Sequence, residues 1–168
     1  MDKIYQPAED SYLLSRVLKE QVPPLLNKNP NLTSLEIGAG SGINLQTVES
    51  AGVRKENIFS SDINSNAVSH CTSLGYNCVK SDLFGNIKGK YDLIIFNPPY
   101  LPEDSREPKD SRLATPGGKK GNEIIIRFIK EAKNYLKKGG IIFLITSSLA
   151  VDVNFNELGY EAKEVGCE

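Results

Sequence analysis

The sequence predicts a doubly wound α/β fold, a mainly parallel sheet covered by helices on both faces, in one domain spanning residues 1–168. Short apolar runs of strand length alternate with segments of helical periodicity, the order that builds a parallel sheet. A glycine cluster lies between the first strand and the next helix, where such folds place a ligand loop. The run YDLIIFN at 91–97 is apolar almost throughout, as strands buried on both faces are.

The first element is a helix over about residues 8–22. Pro7 suits its first turn, Glu9 and Asp10 favour its positive end, and Leu13, Leu14, Val17 and Leu18 recur at helical spacing. Pro23 and Pro24 are expected to stop it. Residues 33–37 read as a buried strand running into Gly38, Gly40 and Gly42, and a helix over 44–51 follows, closed by Gly52. Residues 57–62 form the second strand, 64–74 a helix ending at Gly75, 76–80 a short third strand and 91–97 the fourth. The stretch 101–121, rich in Pro, Gly and charge, is irregular. A helix over 122–138 has Ile125, Ile126, Ile129 and Ala132 on one face, and Gly139 and Gly140 turn the chain into IIFLIT, the fifth strand. The tail after Ser147 has room for one short helix and one more strand.

Composition narrows the function classes. Twenty Lys and Arg stand against 21 Asp and Glu, and a net charge of -1 argues against a broad basic surface for nucleic acid. The longest apolar runs are about five residues, against the ~20 that a membrane span requires. The opening MDKIYQPAED lacks the apolar core of a signal peptide, so a cytoplasmic location is expected, with the nucleus as a second. Cys71, Cys78 and Cys167 form no CxxC pair, and with the lone His70 they make a poor metal set. His70, in mid-helix, reads as a surface or core residue.

Ligands of doubly wound sheets bind beyond the carboxyl ends of the strands, and four signals fall there. The first is Glu36-Ile37-Gly38-Ala39-Gly40-Ser41-Gly42, whose glycines allow a sharp turn and close approach of a ligand. Its GxGxG spacing departs from the dinucleotide GxGxxG, and no GK[ST] follows. A tight turn without a ligand is the plain alternative. The second is Asp62, a carboxylate at the end of the second strand suited to accept from ribose hydroxyls. The third is Ser81-Asp82-Leu83, where Asp82 suits an exocyclic amine and Leu83 the face of its ring. For either acid alone, a helix cap or a solvated carboxylate is the alternative.

The fourth and most specific signal is Asn97-Pro98-Pro99-Tyr100. Two prolines remove N–H donors and leave carbonyls free as acceptors. The Asn oxygen adds an acceptor and the Tyr ring a stacking face. The combination receives a planar NH2 group, with its two N–H held by Asn97 Oδ1 and the Pro98 carbonyl so that density is drawn to nitrogen.

Together these motifs resemble the class I S-adenosylmethionine-dependent methyltransferases, within them the branch that modifies a planar nitrogen. The string Tyr5-Gln6-Pro7-Ala8-Glu9-Asp10-Ser11 is similar to the YxPAEDT/S opening of the eukaryotic and archaeal HemK-like methyltransferases, which methylate the glutamine of the GGQ motif in class 1 peptide-chain release factors. Gly117-Gly118-Lys119-Lys120-Gly121 before an apolar helix is similar to that family's GGxxG segment. The resemblance covers about residues 5–146. It implies a Rossmann-like fold, S-adenosylmethionine as cofactor, S-adenosylhomocysteine as product, and no metal. It implies cofactor contacts at Tyr5, Pro7, Ser11, Glu36, Gly38, Gly40, Gly42, Asp62, Ile63, Asp82, Leu83 and Asn97. Catalysis falls on Asn97, Pro98, Pro99 and Tyr100, with Asn97, Pro98 and Tyr100 meeting the substrate amide. The sequence departs from the family in lacking its Trp before GGxxG, where Leu113 and Ala114 stand nearby. It also leaves no room for the amino-terminal helical domain of bacterial relatives. The family's sheet ends in two antiparallel strands, whereas the residues after Gly159 suffice for about one, so shortened C-terminal strands are expected.

In the doubly wound order the third strand is an edge. It carries Tyr76, Cys78 and Val79 with one charge, Lys80, little protection for an exposed edge. The resemblance implies the cover, a small zinc-binding activator protein that forms a heterodimer and docks along 76–80 and the neighbouring helix. A blunt edge in a monomer is the alternative. Other functions compatible with the motifs are N-methylation of adenine or cytosine amino groups in DNA or RNA, protein lysine methylation, and a non-catalytic subunit that binds the cofactor. Balanced charge and the absence of a recognition domain weigh against the first, the planar-nitrogen site against the second, and the intact NPPY against the third. Lys109, Arg112, Lys119 and Lys120 form a local cationic loop suited to an acidic protein surface, and residues 101–121 are expected to be mobile and close over substrate.

Overall fold

The computed structural model describes residues 4–99, 122–147 and 153–167. Its elements are α1 (Glu9–Lys28), β1 (Ser34–Ile37), α2 (Ile43–Ser50), β2 (Ile58–Asp62), α3 (Ser65–Ser73), β3 (Asn77–Lys80), β4 (Tyr91–Phe96), α4 (Glu123–Ala132) and β5 (Leu136–Leu144). The five strands lie in the order β3-β2-β1-β4-β5 and all pairs are parallel. This is the doubly wound sheet expected from the sequence, with β3 at one edge.

The register decides where the site is. Ile37 pairs with Ser61 on one side and Phe96 on the other, and Ser61 with Val79. One residue further along, Gly38, Asp62, Asn97 and Lys80 therefore stand in a row across the carboxyl edge. Two apolar layers hold the sheet at that register. Leu14, Leu18 and Val22 of α1, Leu45 and Val48 of α2 and Cys71 of α3 pack with Ile58, Leu93 and Ile95 on one face. On the other face Phe128 and Ile129 of α4 pack with Phe84, Leu35, Ile94 and Phe96. Phe128 stacks on Phe84 at 5.4 Å and lies 4.4 Å from Phe96 between ring centroids. Burying side chains of this size contributes about 1.5–3 kcal/mol each.

Three expectations are corrected. Pro23 and Pro24 do not stop α1, which continues to Lys28. Both prolines are exposed, as are Lys19 and Glu20, whose carbonyls lose their helical donors and can be solvated by water. Leu25 and Leu26 beyond them pack against the first core layer and hold the last turn in place. The helix expected to reach residue 138 ends at Ala132, and β5 begins at Leu136. Tyr135 stacks on Phe84 at 4.7 Å, drawing the chain out of the helix early. Gly139 and Gly140 lie within β5 rather than before it, at a shift in register between Tyr91 and Leu93. A Cβ at Gly140 would lie 2.9 Å from Leu136 and 3.0 Å from the Asp92 carbonyl, which is why the irregularity takes glycine.

The described tail, 153–167, contains neither helix nor strand. Phe155, Leu158 and Tyr160 pack on the second core layer, and the Tyr160 hydroxyl donates to the Ile129 carbonyl at 2.9 Å. Beyond them Glu161 and Lys163 would occupy one face of a strand and Glu164 the other, leaving no apolar face to bury.

Gly140→Ala is expected to destabilise the chain by ~1–3 kcal/mol, because the added methyl meets backbone as well as a side chain. A urea midpoint for Gly140→Ala no lower than that of the unsubstituted chain would contradict the close packing.

Candidate functional site

The glycine loop is built around one carboxylate. Gly38, Gly40 and Gly42 have φ of 72°, 50° and 78°, a region that side chains with a Cβ rarely adopt. The N–H groups of Gly38 and Ala39 both donate to the Ser61 carbonyl, at 2.8 and 3.0 Å. Gly40 N–H donates to Asp62 Oδ2 at 2.8 Å, and Asn64 N–H to Asp62 Oδ1 at 2.8 Å. Asp62, 8% exposed, thus braces the loop after β1 and the turn after β2. Each of its oxygens retains a second lone pair for a ligand hydroxyl. The Tyr5 carbonyl lies 3.9 Å from where a Gly40 Cβ would stand, so the amino-terminal segment runs over the loop. From below, His70 Nε2 meets the Ser41 carbonyl at 3.2 Å. His70 is accordingly a half-buried support of the loop.

Glu36 is buried at the end of β1. Asn44 Nδ2 donates to its Oε1 at 2.8 Å, while Oε2 has no partner among the described residues. Burial pushes its carboxyl from an ordinary 4.5 up to about 8, the Asn44 hydrogen bond opposes this and the charge of Asp62 adds to it. An acid held this way keeps its proton near neutral pH and becomes a carboxylate acceptor where a cationic or donor-rich ligand favours the charged form.

At the end of β4, Asn97 Nδ2 donates to Asp10 Oδ2 at 3.0 Å and lies 3.5 Å from Ser11 Oγ. Its Oδ1 is buried and has no partner among the described residues. Asp10 stands in the first turn of α1, where a carboxylate is favoured by the helix dipole and takes an orphan N–H. Its Oδ1 accepts from Ser11 N–H at 2.6 Å and from Tyr5 Oη–H at 3.1 Å. The site therefore joins Tyr5, Asp10, Ser11 and Asn97 in one network. Pro7 is half-buried and Pro98 is buried next to Asn97.

Other candidate residues are placed differently from a simple pocket lining. Ile63 is 64% exposed beside Asp62, an open apolar face at the rim. Leu83, expected to cover a ring, has φ 43° and is 6% exposed within the second core layer, leaving little side chain for a ligand. Asp82 is engaged by Arg127 of α4, whose Nη1 lies 3.0 Å from both carboxylate oxygens. That pair is half exposed and so exchangeable. Tyr76 does not belong to the exposed edge, a correction to the partner surface. It is 5% exposed, its hydroxyl donates to Glu49, and Lys55 lies over its ring. Val79 and Lys80 are exposed and Cys78 is half-buried. Cys71 is buried beside Cys78, and the hydrogen bond with that neighbour together with burial pushes its thiol up. Among the described residues no three His, Cys, Asp or Glu side chains cluster as metal ligands.

Sequence reasoning missed Asp10, Asn44 and Arg127 as parts of this region. Asp10 had a signal, its place in the PAED string, but it was credited only with starting a helix. Tyr100, the loop 101–121 with Lys109, Arg112, Lys119 and Lys120, the positions Leu113 and Ala114, and the GGxxG segment lie outside the described residues.

The model of the Eco57I restriction-modification methylase family matches residues 43–158. A Methanocaldococcus jannaschii protein named as a protein N5-glutamine methyltransferase is 43% identical over 155 residues, 88% of this chain and 74% of its own length. Methyltransferase HEMK2 of Mus musculus is 31% identical over 155 residues, 85% of this chain and 71% of its own. The eRF1 methyltransferase catalytic subunit mtq2 of Schizosaccharomyces pombe is 28% identical over 165 residues, 84% and 71% of the two chains. Among solved structures, the T. thermophilus 16S rRNA N2 G1207 methyltransferase in complex with AdoMet and guanosine has a TM-score of 0.61 at 17% identity, over 91% of this chain and 38% of its own. That likeness is one of fold.

Glu36 makes stability depend on pH. An unfolded chain releases this proton near 4.5 and the folded chain holds it to about 8. Between those values the folded state binds more protons, so stability falls as pH rises, by up to about 1.4 kcal/mol per pH unit. Glu36→Gln carries no such proton and is expected to flatten the decline of the thermal midpoint between pH 5 and 8. Parallel profiles for the two proteins would contradict the buried, proton-holding carboxyl.

Proposed function

Because the chain belongs to the HemK-like protein N5-glutamine methyltransferases, we propose that it methylates the side-chain amide of the glutamine in the GGQ motif of a class 1 peptide-chain release factor. The observation that carries this reading is the buried, unpartnered Asn97 Oδ1, held as an acceptor directly before Pro98. A planar amide offers two N–H bonds. Asn97 Oδ1 and the Pro98 carbonyl take one each, draw electron density to nitrogen and aim it. Neither proline has an N–H to compete as a donor. On methylation the nitrogen gives up one proton, which passes to water.

The residues at the strand ends fit S-adenosylmethionine. Glu36 Oε2 lacks a partner among the described residues and suits a cationic ligand once its carboxyl gives up the proton, Asp62 has lone pairs for ribose hydroxyls, and the glycine loop admits close backbone approach. When bound, the cofactor supplies an activated sulfonium methyl, so the acceptor nitrogen needs orientation rather than strong deprotonation. Ser11 and Tyr5 join the strand end through Asp10, Ile63 is exposed beside Asp62, and Asp82 becomes available by exchanging Arg127 for a ligand amine.

The activator partner belongs to the same proposal. In it a small zinc-binding subunit covers β3, which among the described residues has a hydrogen-bonded neighbour on one side only. Val79 is 43% exposed there, beside a groove of about 400 Å³ lined by Phe59, Asn77, Val79, Ile87, Lys88 and Tyr91. The name of the S. pombe relative, a catalytic subunit, supports a multi-subunit enzyme. A release-factor substrate supports the cytoplasmic location expected from the sequence, with the nucleus as the second. Val79→Asp is expected to weaken capture of such an activator at least ~10-fold, since a desolvated charge at an interface core costs more than one decade of affinity. Capture unchanged by that substitution would remove β3 as the docking edge.

The family model for a restriction-modification methylase keeps a second reading, transfer to an amino group of DNA. Incubation with labelled S-adenosylmethionine, activator and either a class 1 release factor or DNA separates the two. Label on the GGQ glutamine is expected, and label in DNA alone would overturn the main reading. Asn97→Ala is expected to lower transfer at least ~100-fold while cofactor affinity changes less than threefold, as for loss of a group acting on the transition state. Undiminished turnover would remove Asn97 from the mechanism.

A further inference from the structure

We propose that Asp10 is a positioning residue that sets the orientation of the Asn97 amide, and so makes the site present an acceptor rather than a donor to the incoming nitrogen. This rests on the reading that the target is an NH2 group. An Asn side chain has two nearly isosteric ends, and a site built on it works only if one end is excluded from the substrate side. An ionised carboxylate accepts hydrogen bonds and donates none. Asp10 Oδ2, 3.0 Å from Asn97 Nδ2, therefore takes the amide nitrogen and would repel the oxygen at the same distance. Ser11 works in the same direction. Its hydroxyl hydrogen goes to Asp10 Oδ1 at 3.2 Å, which leaves a lone pair facing Asn97 Nδ2 at 3.5 Å.

Asp10 is itself held from two sides. Ser11 N–H fixes Oδ1 at 2.6 Å, and the Tyr5 hydroxyl reaches both oxygens, at 3.1 and 3.3 Å. The carboxylate cannot swing away without losing a helix-end hydrogen bond and releasing Tyr5. Asn97 Oδ1 is thereby left pointing away from Asp10, buried and without a partner. A flipped Asn97 would offer two N–H groups to a substrate that also offers two N–H groups, and would welcome a carboxylate instead.

The test reads orientation with and without substrate, in the full chain with its activator. In the uniformly 15N-labelled protein the Asn97 side-chain protons are expected to be shifted by the carboxylate and slow to exchange with water. Asp10→Ala should speed their exchange at least ~10-fold by removing the charge-assisted bond, whereas Asp10→Asn, which can still present an oxygen, should not. With a release-factor peptide containing Gly-Gly-Gln, Asp10→Ala should lower kcat ~30–100-fold with cofactor affinity within threefold, the scale of a misplaced reacting group. Asp10→Asn should recover to within about fivefold of wild type. The counterpart peptide containing Gly-Gly-Glu should gain ~10-fold as an inhibitor relative to the Gln peptide in Asp10→Ala, because a freed amide can donate to a carboxylate. A merely structural role would lower the thermal midpoint and weaken both peptides alike. Asp10→Leu, of similar shape, carries the same test if the alanine variant folds poorly. Unchanged Asn97 exchange, or an unchanged ratio between the two peptides, would overturn the proposal. Absence of transfer to any Gln peptide by wild type would overturn the functional reading instead, with the exchange measurement still deciding the role of Asp10.

Discussion

The site depends on one hydrogen bond between distant parts of the chain, from Asn97 Nδ2 to Asp10 Oδ2, 87 positions apart in sequence. Each partner is placed by packing that has nothing to do with the other. Asn97 stands where the pairing of β4 with β1 and β5 ends. Asp10 stands where α1 begins, and α1 is held on the sheet by Leu14, Leu18 and Val22 and on α2 by the buried Ser15–Thr47 hydroxyl pair at 2.7 Å. A helix advances about 1.5 Å per residue, so a slip of one residue in α1 would take the carboxylate out of reach. The orientation of one amide is thus the end point of the whole first core layer.

Polar burial shows where stability was given up. Among the described residues the buried side-chain atoms without partners are Ser34 Oγ, Glu36 Oε2, Asn44 Oδ1 and Asn97 Oδ1. Three of these belong to the carboxyl edge and the helix that opens from it. A buried polar group lacking its hydrogen bond costs about 1–3 kcal/mol, a large amount for one small domain. Asp62 is buried as well, and both its oxygens are satisfied by loop N–H groups. The contrast separates two kinds of polar group at the same edge. Asp62 holds the loops with both oxygens, while Glu36 and Asn97 each keep one oxygen with no partner among the described residues. Buried acceptors left open beside a loop of positive-φ glycines have the character of a binding site rather than of a folding error.

Much of this was legible because periodicity and strand ends are local properties. Apolar runs named all five strands, Gly38, Gly40 and Gly42 named the turn with φ above zero, and NPPY named the end of β4. The failures were tertiary. Leu25 and Leu26 hold a helix turn that Pro23 and Pro24 disfavour locally, and stacking of Tyr135 on Phe84 shortens α4. Gly140 is required by a carbonyl of the neighbouring strand, which no local pattern announces. The same holds at the site. Asp82 looks like an unengaged acid until Arg127, 45 residues away, is brought to it by α4. Tyr76 looks like an edge residue until Glu49 and Lys55 enclose it.

The central claim is that Asn97 presents its oxygen, oriented by Asp10, to a planar amide. A crystal structure of the chain with its activator, S-adenosylhomocysteine and a Gly-Gly-Gln peptide tests it most directly. The account predicts the glutamine amide nitrogen about 2.9–3.0 Å from Asn97 Oδ1, the usual length of an N–H···O bond, with Asn97 Nδ2 still on Asp10. A glutamine seated elsewhere, or an Asn97 nitrogen turned toward it, would contradict the account.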